Sequence, residues 1–407
     1  MRSRVLVVGA GGVGSAIAVA AQRRGFFDGF VVADVDPARA KAAVDRLPDD
    51  ARFEAAAVDA SDRAAIAELA RSTRATAIVN ACDPRFNPPI FDAAFEAGCN
   101  YLDMAMHLSK PHPERPYEVP GVKLGDEQFA VAAQWEARGL LAIVGIGTEP
   151  GFSDVAARYA ADHLFSRVDE VAVRDGANIV IEGFDFAPTF SIWTTIEECL
   201  NPPVIWEADR GWYTTAPFSE PETFDFPGGI GPIECVNVEH EEVVLVPRWV
   251  DCRRVTFKYG LGDEFIEVLR VLHKTGLDST QPVMVRGVPV APRDVVAAAL
   301  PDPATLGERM RGRTCAGTWV RGTGTDGAPR SAYLYHVADA VETMAKHGMQ
   351  PVVWQTAINP VFALELLAEE VWSGTGVLGP EAFDAAPFLD LMNACDEPWG
   401  LEELTPG

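Results

Sequence analysis

A chain of 407 residues that is 48% hydrophobic has room for two domains with separate cores. Thirty-four Lys and Arg against 59 Asp and Glu give a net charge of −25, which argues against nucleic acid or an anionic membrane as partners. The seven cysteines are widely spaced and form no C-x-x-C, so the composition excludes a zinc ribbon or a disulfide framework and fits reduced thiols in the cytoplasm.

The first strand is expected at Val5-Leu6-Val7-Val8, so no signal peptide is expected before the fold, and no uncharged apolar run reaches the length of a membrane span. The strand runs into Gly9-Ala10-Gly11-Gly12-Val13-Gly14. Gly9 permits the tight turn, Gly11 lets the backbone approach a pyrophosphate, and Gly14 lets the next helix pack on the sheet. The amides of that helix, from Gly12 and Val13 onward, favour the phosphate anion. A second apolar run, Phe30 to Ala33, closes on Asp34, placed to accept hydrogen bonds from the adenosine ribose hydroxyls. A carboxylate there favours NAD over NADP, with Arg39 as a counterweight that keeps NADP open. The four features together point to a dinucleotide site rather than a glycine-rich turn without ligand.

Asp36-Pro37 starts a helix to about Leu47. A third strand, Phe53 to Val58, ends in Asp59, which either contacts the adenine end or caps an exposed turn. A fourth, Thr76 to Val79, ends at Asn80-Ala81, on the side where doubly wound sheets hold their ligands. A helix follows from Pro88 to Ala97, then a strand from Asn100 to Asp103. Residues 106–122 are proline-rich and aperiodic, a connecting loop. A helix from Gly125 to Arg138 leads to the strand Leu140 to Val144, and Gly145 to Gly151 turns into a helix from Ser153. Beyond it, strands are expected at 168–174, 243–246, 254–258, 284–285, 315–321 and 331–337, the last two joined through Thr325-Asp326-Gly327 as a hairpin. Helices are expected at 263–273, 292–300 and 356–372. The pattern is an α+β domain with a mostly antiparallel sheet following a doubly wound α/β domain.

Val8 to Gly14, Tyr101-Leu102-Asp103, Gly147 to Gly151, and the C-terminal run from Gly374 to Trp399 resemble the saccharopine dehydrogenase family in its wide sense. That family includes saccharopine reductase, lysine 6-dehydrogenase and carboxynorspermidine dehydrogenase. Pro398-Trp399-Gly400 looks most like the last of these. The resemblance implies a Rossmann domain (1–125), a substrate and dimerisation domain (126–375), and a C-terminal segment (376–407) that returns to the Rossmann side. It also implies a homodimer and hydride transfer at a carbon–nitrogen bond of an amino acid or carboxylated polyamine. The NADPH-using branches tend to carry a basic residue after the second strand. Asp34 stands here instead and leans toward the NAD-using lysine 6-dehydrogenase type.

Hydride transfer needs a nicotinamide held over the substrate carbon and a group that handles the amine proton. Thr148, Pro150 and Gly151 form the expected nicotinamide loop, with Glu149 and Asp103 as acid/base or ammonium-binding groups and His107 as a proton carrier. Arg248 and Arg174 are candidate partners for a substrate carboxylate. Trp193 and Trp249, with Trp206 and Trp212, offer an aromatic wall for a cationic amine. Trp354 to Pro360 is a further candidate wall, and His336 reads as structural. The histidines show no metal spacing, and no metal is expected. A dinucleotide-holding protein without activity is the competing reading.

Overall fold

The computed structural model describes residues 3–48 and 51–405. Its first sheet is parallel throughout. The strands are β1 (Ser3–Val8), β2 (Phe27–Asp34), β3 (Phe53–Ala57), β4 (Ala77–Asn80), β5 (Asn100–Asp103) and β6 (Leu141–Ile143), ordered β3-β2-β1-β4-β5-β6. The apolar side chains of all but the edge strand β3 are buried on both faces, as parallel sheets covered by helices require. The order reverses beside β1, and this switch point opens a crevice at the strands' carboxyl ends. The sheet runs past residue 125 to take in β6, and the strand Gly376–Leu378 adds itself in parallel beyond β6.

The second sheet is built on the long strands Phe165–Ala177, Arg313–Gly324 and Pro329–Asp339, which pair antiparallel. Cys252–Gly260 runs parallel to Phe165–Ala177, so the sheet is mixed rather than uniformly antiparallel. The strand Gly400–Glu403 closes its edge. The C-terminal segment thus contributes one strand to each sheet.

Three expected elements change, the first being the helix expected over Gly125–Arg138, which forms as two short helices, Asp126–Phe129 and Ala132–Ala137. Val243–Val246 lies inside the helix Glu242–Trp249 rather than in a strand. All four of its apolar side chains are buried, and so short a run carries no period that separates strand from helix. The helix expected from residue 356 starts at Pro351, with Gln350 accepting from the Val352 amide as its cap. That helix, Pro351–Ala368, is apolar nearly all round and packs against Gly12–Gln22, which places it across the crevice from the glycine loop.

Gly9 has φ +104°, and a Cβ on Gly14 would stand 1.8 Å from the Gly9 carbonyl oxygen, so only glycine permits this approach of helix to turn. Gly14→Ala is expected to lower the unfolding free energy by about 1–3 kcal/mol, read by urea denaturation. Gly11→Ala, whose Cβ meets nothing within 4 Å, is expected to keep that stability and lose cofactor affinity.

Candidate active site

The helix Gly12–Gln22 has neither a capping side chain nor an acidic residue in its first turn. Its neighbours differ: Asp36 caps Pro37–Asp45, and Asp62 caps Arg63–Thr73. The amides at the first helix's N-terminus are therefore left open at the switch point, with Gly11 clear of neighbours, and this arrangement fits a pyrophosphate. Asp34 braces the loop: Oδ2 accepts the Ala10 amide at 2.9 Å and Oδ1 the Asp36 amide at 2.9 Å. Arg39 stands 3.9 Å from Oδ2. The carboxylate expected at the ribose and a guanidinium suited to a 2′-phosphate thus lie together. Asp59, in contrast, accepts from the Ser61 amide and hydroxyl in an exposed turn.

A cavity of about 620 Å³ opens from this loop. Gly12, Val13, Asn80 and Ala81 line it on one side, and Thr148, Glu149 and Pro150 on another. Asn80 is fixed by donating to Asn87 Oδ1 and accepting from the Cys82 amide. The loop Gly147–Gly151 is closed on itself by the Gly147 amide donating to the Pro150 carbonyl at 2.6 Å, and Asn359 donates to the Gly147 carbonyl at 2.7 Å. Gly151 has φ +135°, and a Cβ there would overlap the Gly147 carbonyl. This packing aims Glu149 into the cavity, where its Oε1 accepts the Gly317 amide at 3.1 Å.

The cavity's charge is one-sided. Asp83, Glu149, Asp175, Glu198, Glu241 and Asp302 line it with His240, and among the described residues no lysine or arginine does. Desolvation raises the Glu149 carboxyl well above its usual range, and Asp175, hydrogen-bonded to it, raises it further. Burial also raises Asp175. The pair therefore holds one proton between two carboxyls. Tyr259, the parallel neighbour of Asp175 in register, hydrogen-bonds to Asp175 as well. Burial pushes Glu198 up to about 8.

His240 behaves oppositely. Burial alone lowers its basicity, but the Glu242 carboxylate 2.5 Å from Nδ1 outweighs burial and holds it up to about 10. The ring stacks on Phe257 at 3.8 Å. Ligand atoms of His240, Glu241 and Glu242 lie within 4.8 Å of one another, a grouping that three consecutive residues do not signal by any metal-ligand spacing.

Several expected site residues lie elsewhere. Asp103 is fully buried behind the lining, where Oδ1 accepts the Gly145 amide at 2.7 Å and Oδ2 accepts Gln128 Nε2 at 2.8 Å, so it braces the turn after β6. His107 is buried outside the lining against Phe91, and desolvation lowers it to about 4, a neutral imidazole rather than a proton carrier facing the cavity. Arg174 is 2% exposed, ion-paired with Glu222 and bonded to Thr256 and the Val173 carbonyl, which leaves no fork free for a substrate. Arg248 stacks over Phe129 and stands 4.0 Å from Asp126, and neither it nor Trp249 lines the cavity. Trp193 does line it, but Arg85 and Arg293 lie 4.1 and 4.7 Å from its ring, so guanidinium groups already stack on the expected aromatic wall. Of the expected Trp354–Pro360 wall, Thr356 reaches the cavity.

Asp175, Glu198, His240 and Tyr259 were not among the expected site residues. The available signal is the run Glu239-His240-Glu241-Glu242, which marks His240 alone and stands at the N-terminus of the helix Glu242–Trp249.

Residues 5–143 match the saccharopine dehydrogenase NADP binding domain, and residues 147–395 match the saccharopine dehydrogenase C-terminal domain. The chain is 30% identical over 414 residues to a carboxynorspermidine synthase of Vibrio alginolyticus, covering 99% of this chain and 98% of the relative. It is 27% identical over 400 residues to a carboxyaminopropylagmatine dehydrogenase of Synechocystis sp., covering 98% and 97%. In fold it is similar to apo saccharopine dehydrogenase (L-Glu forming) from Saccharomyces cerevisiae, with 13% identity, a TM-score of 0.69, and coverage of 99% of this chain and 100% of that one. With both domain types matched in order along nearly the whole length, the chain belongs to the saccharopine dehydrogenase family.

Proposed function

We propose that this protein is an NAD(P)-dependent oxidoreductase that interconverts the CH–NH and C=N bonds of a carboxylated polyamine or a related amino-acid amine by hydride transfer. The observation that carries the reading is the cavity itself: six carboxyl groups and, among the described residues, no lysine or arginine in its lining, beside an open, uncapped glycine loop. Such a lining suits the ammonium groups of an amine substrate. The relatives named for carboxynorspermidine and for carboxyaminopropylagmatine extend it to a polyamine bearing a carboxylate. A lysine 6-dehydrogenase-like activity is the nearer alternative within the same chemistry, and Asp34 favours it only as far as NAD is preferred.

The dinucleotide, when bound, supplies or accepts the hydride. The residues of this chain do the rest. The amides of Gly12 and Val13 hold the pyrophosphate, and the Thr148–Gly151 loop positions the nicotinamide end. The Glu149–Asp175 pair holds the proton that the substrate nitrogen gains on reduction and loses on oxidation. Its raised affinity for that proton suits it to the exchange near neutral pH. All seven cysteines are free thiols, in keeping with a cytosolic enzyme, and the family resemblance adds a homodimer, which light scattering on the purified protein tests.

Incubating the enzyme with NAD or NADP and a panel of lysine, saccharopine, carboxynorspermidine and plain diamines is expected to reduce cofactor with a carboxylated amine. Tight cofactor binding with no turnover on any of them leaves an inert dinucleotide-holding protein. In the imine-reducing direction the protonated pair is the active form. The rate is therefore expected to hold at low pH and fall as pH rises through the pair's raised pKa. Glu149→Gln is expected to lower kcat by about 10²–10⁴-fold and remove that limb of the profile; a normal rate removes Glu149 from the mechanism. Asp34→Ala is expected to weaken NAD about tenfold and NADP less, read by fluorescence titration with the reduced cofactors, since Arg39 then stands unopposed.

A further inference from the structure

An acidic cavity explains how a polyamine's ammonium groups are held. It does not explain what holds a carboxylate, because the arginines expected for that task are engaged elsewhere and no arginine or lysine lines the space among the described residues. His240 is the exception in the lining. Its Nδ1 is taken by Glu242 at 2.5 Å, with Glu241 at 3.5 Å, and its ring is fixed by the stack on Phe257. Nε2 is the remaining donor, and it donates to no protein atom among the described residues. Glu242 is in turn fixed by accepting the Ser153 hydroxyl at 2.8 Å, and Glu241 by accepting the Met106 amide at 3.0 Å. The imidazole is thus rigidly oriented, with one nitrogen bound inward to carboxylates and the other left for a ligand.

We propose that His240, oriented by Glu242, is the anchor for the substrate's carboxylate and so decides that this enzyme takes carboxylated amines over plain ones. The inference rests on the functional reading above and names the feature of the substrate that the site selects. A buried imidazole hydrogen-bonded to a buried carboxylate stays charged across the neutral range, and burial keeps the nearby Glu198 carboxyl protonated there. The cavity therefore presents one fixed positive donor among carboxyls that are protonated, share a proton or are already partnered. A group so firmly protonated is a poor proton donor to the substrate nitrogen and a good anion anchor, whereas the Glu149–Asp175 pair suits proton exchange. The two tasks, holding the acid end and handling the amine proton, fall to different elements: the turn before Glu242–Trp249, and the Thr148–Gly151 loop with its facing strand.

The test uses the enzyme saturated with NADPH, so that an already reduced amine binds without turning over. Calorimetry is expected to show carboxynorspermidine binding about 10–100-fold more tightly than norspermidine, the range of one charge-assisted hydrogen bond. His240→Gln is expected to abolish that difference while leaving norspermidine and NADPH affinity within about threefold. Equal losses on both amines assign His240 a structural role and overturn the proposal, as does a wild-type enzyme that binds the two amines alike. A second readout needs no variant: in the wild-type enzyme labelled with 15N-histidine, carboxynorspermidine is expected to shift one imidazolium Nε2 signal that norspermidine leaves in place, and the absence of that shift also overturns it. Selective binding without reduction of supplied NAD or NADP sinks the redox reading and leaves the anchor standing.

Discussion

The burial of carboxyl groups in a cavity that, among the described residues, no arginine or lysine lines is the constraint around which this site is organised. An isolated buried carboxylate is too costly to persist, so each must share a proton, accept several hydrogen bonds or face a cation. This chain uses all three solutions within one region. Glu149 and Asp175 share a proton in the cavity. Asp154 and Glu381 hydrogen-bond to each other in the interior, with Asp154 also accepting the Gly151 amide at 2.7 Å. Glu242 faces the His240 imidazolium and accepts the Ser153 hydroxyl.

The same arrangement ties the scaffold together. Asp154 closes the loop that presents Glu149, and its partner Glu381 comes from the C-terminal segment. That segment places one strand beside β6 and another on the edge of the second sheet. Across the crevice, a Cβ on Gly12 would meet Val353 at 3.2 Å, so the glycine loop and the helix Pro351–Ala368 are in close packing. The pair Arg24–Glu365 fastens the same two regions. The cavity is therefore walled by both domains and braced from behind by the returning C-terminus, and no single element determines its shape.

Chemistry follows from environments that push like groups apart. Two carboxyls forced together keep a proton well above the usual carboxylate range, while an imidazole beside a buried carboxylate keeps its own. A site that both exchanges a proton with an amine nitrogen and holds an acid group needs these two behaviours side by side. The lining supplies them from adjacent strands and turns.

Local sequence determined the backbone of the glycine loop and of the strand end that carries Asp34 almost completely. Strand, glycine loop, helix and Asp34 are contiguous, and each does its work through backbone geometry within a few residues, so Gly9, Gly11, Gly14 and Asn80 stand where their spacing places them. Glu149 was legible as the acid of a tight loop at a strand's end, and the fold places it in the cavity wall. The remainder of the site was decided by tertiary structure. Asp175, Glu198, His240 and Tyr259 come from a strand, a helix, a turn and a second strand spread over some 85 positions, and their character arises only when burial brings their charges together. Arg174 and His107 illustrate the converse: residue types suited to binding or proton transfer are taken out of service when the fold surrounds one with Glu222 and Thr256 and packs the other against Phe91. Sequence spacing encodes backbone turns, whereas desolvation and charge pairing depend on distances that only the folded chain sets.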